Sequence, residues 1–190
     1  KFCDVATGNL IAPNPYEPKI IAETISKLNL RYAVITSVDR DDLIDGGAEH
    51  WIKTIQLIRI QCPQMKIETL IPDFQGKTSL VEKICEAKPD VLAHNLETVE
   101  SLQNTIRPQC RYGWSLDTLR TAANKSNLII KSSLMLGLGE KEEEVISSMK
   151  DLVDVGCQIL SLGQYLRPSP RHLEVVEFIH PDQFLRYKNI

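Results

Sequence analysis

Five short runs of β-branched and other apolar residues recur along the chain, and each is followed by a stretch with apolar residues at helical spacing. The runs are Tyr32–Thr36 (YAVIT), Ile67–Ile71 (IETLI), Val91–Ala93 (VLA), Ile129–Leu136 (IIKSSLML) and Ile159–Leu166 (ILSLGQYL). They are nearly continuous in hydrophobicity rather than alternating, as expected of parallel strands covered on both faces. A helix precedes the first run: in Glu17–Leu28, Ile21, Ile25 and Leu28 fall at i, i+4 and i+7, with Pro18 in the first turn. Between the runs the same period returns in Trp51/Ile55/Ile58, Leu80/Ile84/Ala87, Leu116/Leu119/Ala123 and Val145/Met149/Leu152. Gly156 suits a left-handed cap after the last of these. The order is one helix, then five βα units, with the final helix reaching toward Ile190. Repeated βα units imply a parallel sheet with right-handed crossovers, either open and doubly wound or curled into a barrel. In both cases function sits beyond the C-terminal ends of the strands.

The 190 residues suit a single domain spanning 1–190. A net charge of −3 gives no drive toward nucleic acid or anionic membranes, and no run nears the ~20 apolar residues of a membrane helix. Cys3, Cys62, Cys85, Cys110 and Cys157 are odd in number, and no two are at C-x-x-C distance. A reducing compartment follows. The first residue is Lys1, so the natural N-terminus is expected to lie elsewhere.

Polar groups gather after the strands. Ser37-Val38-Asp39-Arg40-Asp41-Asp42-Leu43 and Asp45-Gly46-Gly47 follow the first run, and His94-Asn95-Leu96-Glu97 the third. The fourth carries Lys131 and ends in Gly137-Leu138-Gly139-Glu140; the fifth ends in Gln164-Tyr165-Leu166-Arg167-Pro168-Ser169-Pro170. Taken singly they allow plain readings. The aspartates lack a full Ca²⁺-loop pattern and fit solvated charges or a partner for Arg40. G-L-G-E fits a tight turn. Lys131 fits a Schiff-base amine or a cation paired with a carboxylate. The histidines match no zinc spacing, and the last four cysteines fit small apolar fillers.

Taken together, the segments resemble lipoyl synthase, a radical S-adenosylmethionine enzyme family. The resemblance rests on Phe2-Cys3-Asp4-Val5, the Ile35–Ala48 block, His94–Val99, Leu134–Val145 and Gly163–Ser169, and it runs in order from Phe2 to about Tyr187. It implies a partial parallel (β/α)6 TIM-type barrel whose first strand is missing here. It also implies a sulfurtransferase that inserts sulfur at C6 and C8 of an octanoyl chain held on a carrier protein. Two 4Fe–4S clusters are implied, one cleaving S-adenosylmethionine to a 5′-deoxyadenosyl radical and one auxiliary cluster serving as sulfur source. Implied partners are an octanoylated lipoyl-carrier domain and an electron donor such as ferredoxin or flavodoxin, in the cytoplasm or an organelle matrix.

Residue by residue, the resemblance makes Cys3 a cluster ligand and sets Phe2 beside the adenine. Ser37 and Asp39 meet the methionyl ammonium, Asn95 and Glu97 the ribose or methionyl end, and Lys131 the methionyl carboxylate. Gly137 and Gly139 let backbone approach the adenine, and Arg167 borders the substrate or the auxiliary cluster. The remaining cysteines of both cluster motifs would precede Lys1, and a C-terminal R-S-S-Y motif would follow Ile190. This stretch alone is therefore expected to be inactive. The alternatives are a phosphate-binding barrel aldolase using Lys131, or a non-catalytic binding module.

Overall fold

A computed structural model describes residues 2–5, 10–125 and 127–190. Its strands are β1 (Tyr32–Thr36), β2 (Lys66–Leu70), β3 (Val91–Ala93), β4 (Ile129–Leu136) and β5 (Ile159–Gln164). Its helices are α1 (Glu17–Leu28), α2 (Ala48–Gln61), α3 (Thr78–Glu86), α4 (Gln103–Ile106), α5 (Tyr112–Lys125), α6 (Glu142–Asp154) and α7 (Pro181–Lys188). All pairings are parallel, in the order β1-β2-β3-β4-β5.

That order decides between the two architectures. A doubly wound sheet reverses its strand order partway, which sends helices to both faces. Here strands pair in chain order, so right-handed crossovers put every connecting helix on one side. The core agrees. Ala22, Ile55, Ile84, Leu119 and Leu152 from five helices pack in one cluster with Ile67, Leu92, Ile130 and Leu134 from the strands. The sheet is the wall of a partial barrel, helices outside. Thr36, Leu70, Ala93, Lys131 and Ile159 are successive pairing partners across the five strands. They are the last residues of β1, β2 and β3, but the third of β4 and the first of β5. This stagger is the shear that barrel curvature needs.

Alternation then assigns the concave face. Ala33 and Ile35 pack toward the helices, as do Leu160 and Leu162, so Tyr32, Val34, Glu68, Lys131, Ser133 and Ser161 face inward. The inner face is not purely apolar. The Lys131 ammonium donates to Glu68 Oε1 at 2.8 Å, and the Tyr32 hydroxyl donates to Glu68 Oε2. Burial and that carboxylate push the Tyr32 phenol up to about 12.

Strand boundaries differ from the sequence reading by a residue at β2 and two at β5. β5 stops at Gln164 because its partner β4 stops at Leu136. The final helix does not follow β5 directly: residues 165–180, with Pro168 and Pro170, form an irregular strap before α7. A 3-10 turn (Glu100–Leu102) and α4 also interrupt the β3–α5 connection. Gly156 ends α6 as expected, at φ +87°, with the Cys157 amide on Leu152 O and its own on Val153 O, the paired bonds of a Schellman cap. Among the described residues no helix is long and apolar enough to cross a membrane.

Asp90 ties the lower edge of the sheet. It accepts from Arg59 Nη2 and Lys66 Nζ at 2.8 Å and from the Ile67 amide at 3.0 Å. Burial acts to raise its pKa, but these three donors outweigh it and hold the carboxyl at about 2. A depressed carboxylate stabilises the fold above its ordinary pKa, and that contribution fades as pH falls toward about 2. Asp90→Asn is expected to lower stability by about 1–3 kcal/mol at pH 7, with the gap narrowing between pH 4 and 2. Denaturant titrations at pH 7 and pH 3 check this; a pH-independent gap would contradict it.

Candidate functional site at the strand C-termini

The loop after β1 divides its charges between structure and site. Arg40 clamps Asp42 through two 2.8 Å bonds and reaches Ile11 O at 3.0 Å. Asp45 accepts the Gly47 and Glu49 amides at the start of α2. Ser37 and Asp39 remain exposed at the mouth of the barrel. Although Asp39 meets solvent, crowding around its carboxyl raises its pKa, Asp41 and Asp73 add to the rise, and Arg107 opposes it.

Beyond β3 the chain bulges. The His94 amide bonds Lys131 O and the Glu97 amide bonds Ser133 O, so three steps on this strand match two on β4. Ser132 Oγ catches the Leu96 amide within the bulge at 3.1 Å. Bulges re-aim side chains, and this one sets Asn95 Nδ2 on Glu97 Oε1 at 3.1 Å, with Glu97 at φ +69°. Burial raises the Glu97 carboxyl; Asn95 and Arg107 oppose it. Arg107 Nη1 lies 3.3–3.4 Å from the carbonyls of Asn95 and Leu96 and from Ser115 Oγ. His94 is a core residue: Nδ1 donates to Ile71 O at 2.8 Å and Nε2 accepts from Ser115 Oγ at 2.9 Å. Burial pulls it down to about 4, so it is neutral at pH 7.

At β4 and β5 the end of the barrel is closed by the chain itself. Glu140 accepts the Gly137 and Leu138 amides, making G-L-G-E a carboxylate-closed turn. Gly137 has φ +98°, and a Cβ there would lie 2.3 Å from Gln164 Nε2 and 2.4 Å from Glu177 O. Gly139, at φ +104°, faces Val176. The close approach at Gly137 is thus made by the strap, which Gln164 holds through Glu177 O and the Ile179 amide. Arg167 bonds His172 O, Pro170 O and Glu174 within the same strap.

Phe2 packs into this end with Met135, Leu138, Tyr165 and Leu173. Cys3 beside it is exposed. An exposed thiol at the barrel mouth suits one corner of an iron–sulfur cluster. Among the described residues no group of three Cys, His, Asp or Glu converges to complete one. The other thiols are poor donors. Cys62, Cys85 and Cys157 belong to or line the main core. Cys110 instead stands beside Arg107 and Asp73, and burial raises it to about 11.

The structure therefore brings Asp39, Asn95 and Glu97 together around Arg107, and the Glu97 carbonyl accepts the amide of Met135, which packs against the same apolar cluster as Phe2. Lys131 lies five residues before the end of β4, in the register row of Thr36 and Ala93 that immediately precedes Ser37 and His94-Asn95, and it is bound to Glu68; Gln164 is the last residue of β5. A bonded ammonium is not the free amine of a Schiff base. The sequence reading missed Arg107, Asp73 and Glu68. Glu68 was findable, because one carboxylate in IETLI and one ammonium in IIKSSLML are opposite charges in two inward-facing runs. Arg107 lies in an irregular segment with no periodic signal.

A hollow of about 450 Å³ lined by Cys85, Glu86, Lys88, Lys125, Asn127 and Leu128 opens at the opposite end of the sheet and shares no residue with this site.

The radical SAM superfamily matches residues 1–152. A lipoyl synthase of Treponema denticola is 47% identical over 190 residues, covering 100% of this chain and 65% of the relative. One of Chlorobium phaeobacteroides is 44% identical over 191 residues, covering 100% and 67%. The chain thus spans about two thirds of the length of these relatives. The crystal structure of Streptococcus suis SuiB bound to S-adenosylmethionine superposes with a TM-score of 0.71, over 99% of this chain and 42% of that one, at 13% identity.

Proposed function

Because this chain belongs to the radical SAM superfamily and, within it, to the lipoyl synthase family, we propose that the whole protein is a sulfurtransferase that makes the lipoyl group. In this reading sulfur is inserted at C6 and C8 of an octanoyl chain carried by a lipoyl-carrier domain, with ferredoxin or flavodoxin as electron donor. The observation that carries the proposal is 44–47% identity along the entire chain. A 4Fe–4S cluster with S-adenosylmethionine would supply one-electron reductive chemistry that abstracts hydrogen from an unactivated carbon.

The chain's own residues divide that work. Cys3 supplies one thiolate, oriented by Phe2, which packs against the cluster of Ile106, Leu138 and Tyr165. Asp39, Asn95 and Glu97 offer carboxylate and amide groups suited to an ammonium and to ribose hydroxyls, and Ser37 borders them. Arg107 stabilises the ionised forms of Asp39 and Glu97. Glu68 competes for Lys131, so a ligand carboxylate reaching it would share that cation. Gly137 and Gly139 shape the turn that seats the strap, and Arg167 stiffens the strap from within.

The test is an anaerobic assay of the whole protein with S-adenosylmethionine, reductant and an octanoylated carrier domain, read by mass spectrometry of the carrier. Two sulfurs gained with loss of the matching hydrogens is the expected result. 5′-Deoxyadenosine formed with no sulfur gain would place the protein elsewhere in the superfamily. The 190 residues alone, in which Cys3 is the one exposed thiol among those described, are proposed to take up no stoichiometric cluster on reconstitution. About four irons per monomer would refute that.

A further inference from the structure

We propose that His172 is a positioning residue for Cys3, holding that cysteine's backbone from a strap 169 residues further along the chain. The inference rests on the reading of Cys3 as a cluster ligand. His172 Nε2 lies 3.0 Å from the Cys3 carbonyl oxygen. A carbonyl only accepts, so Nε2 carries the proton and a neutral ring must accept at Nδ1. Ser169 Oγ stands 2.8 Å from Nδ1 and donates there, which fixes the tautomer. The imidazole is 11% exposed. Asp4 Oδ1 lies 3.5 Å from the same Nε2 and flanks the contact.

The strap is braced to make this bond. Arg167 Nε donates to His172 O at 3.0 Å and Nη1 to Glu174 Oε1 at 3.2 Å, while the buried Tyr165 hydroxyl donates to Leu173 O at 2.9 Å. Tyr165 belongs to the apolar cluster against which Phe2 and Leu173 both pack. The Phe2 ring is thus anchored on one side of a peptide and the Cys3 carbonyl on the other. Two anchors one residue apart restrict the backbone at Cys3, and that backbone sets where the thiolate points. Groups that orient metal ligands commonly change metal retention by 10–100-fold when removed.

The whole protein, anaerobically reconstituted, is compared with H172F, H172Q, S169A and C3A. Three quantities are read: iron per monomer, the rate at which a chelator bleaches the cluster absorbance, and the part of the reduced EPR signal that changes on adding S-adenosylmethionine. That last part reports only the cluster that S-adenosylmethionine meets. H172F is expected to lose this cluster about tenfold faster and to alter that signal, with the apoprotein Tm within about a degree of wild type. H172Q, whose amide nitrogen donates from nearly the position of Nε2, should restore both. Wild-type rates and spectra in H172F, or equal damage in H172Q, would overturn the positioning role. If H172F does not fold, S169A decides, since it keeps the ring and frees the tautomer: faster loss supports the role and an unchanged rate overturns it. C3A separates the two readings. Full retention of the S-adenosylmethionine-responsive cluster in C3A means that the ligand assignment is wrong, whereas its loss beside an unaffected H172F removes the positioning role alone.

Discussion

Cys3→Ala in the whole protein is expected to abolish reductive cleavage of S-adenosylmethionine, a fall of at least about a thousandfold in 5′-deoxyadenosine formed. Serine would not rescue it, because a hydroxyl does not ionise near neutral pH as a thiol does. The effect should be confined to the cluster. Cys3 is exposed and contributes nothing to the core, so the apoprotein should melt within about a degree of wild type. Cys157→Ala gives the opposite pattern. Its thiol packs against the main core and lies 3.2 Å from Ile159 O, so its loss should cost about 1 kcal/mol or less and leave iron content intact. Paired iron and Tm measurements on both variants decide the matter. Equal loss of iron in the two would mean that the cysteine roles are misassigned.

Arg107→Ala is expected to cost about 1–3 kcal/mol at pH 7, because it removes the cation beside the half-buried Glu97 carboxylate and the bonds to Asn95, Leu96 and Ser115, while the exposed Asp39 adds little. Burial and neighbouring charge already raise Asp39 and Glu97, and Arg107 opposes both rises. A carboxyl whose folded pKa is raised favours the fold while protonated, and that contribution disappears as pH climbs through the folded value. Removing Arg107 raises both values further, so the penalty is largest where the carboxyls must ionise. The stability gap between wild type and variant should therefore be smallest near pH 4 and widen toward pH 7. Thermal unfolding across that range checks it, and a constant gap would show that Arg107 acts only through its hydrogen bonds to Asn95, Leu96 and Ser115. Glu97 is expected to show the trade-off from the other side. Glu97→Gln should raise the Tm slightly at pH 7 while weakening S-adenosylmethionine binding.

What local sequence determined is what short-range physics controls. β1, β3 and β4 were legible to the residue, because their β-branched and apolar-rich runs stand between polar stretches; β3 is buried along its whole length, whereas burial alternates along β1 and β4. α1 was legible for the same reason, from Pro18 and the i, i+4, i+7 stripe. The left-handed turn at Gly156 followed from a single residue's steric freedom. The motifs at the strand ends pointed to the family and to Asn95 and Glu97. Tertiary structure decided the rest. Whether the sheet curls depends on which strands pair, and that long-range choice leaves no periodic trace in any one strand. The partner of Lys131 sits 63 residues away on another strand. The bulge that brings Asn95 to Glu97 is tied to another strand, where Ser132 on β4 catches the Leu96 amide. Arg107 reaches the site from an irregular loop, and His172 reaches Cys3 across nearly the whole chain. In each case the contact depends on distance through space, and a linear pattern encodes only distance along the chain.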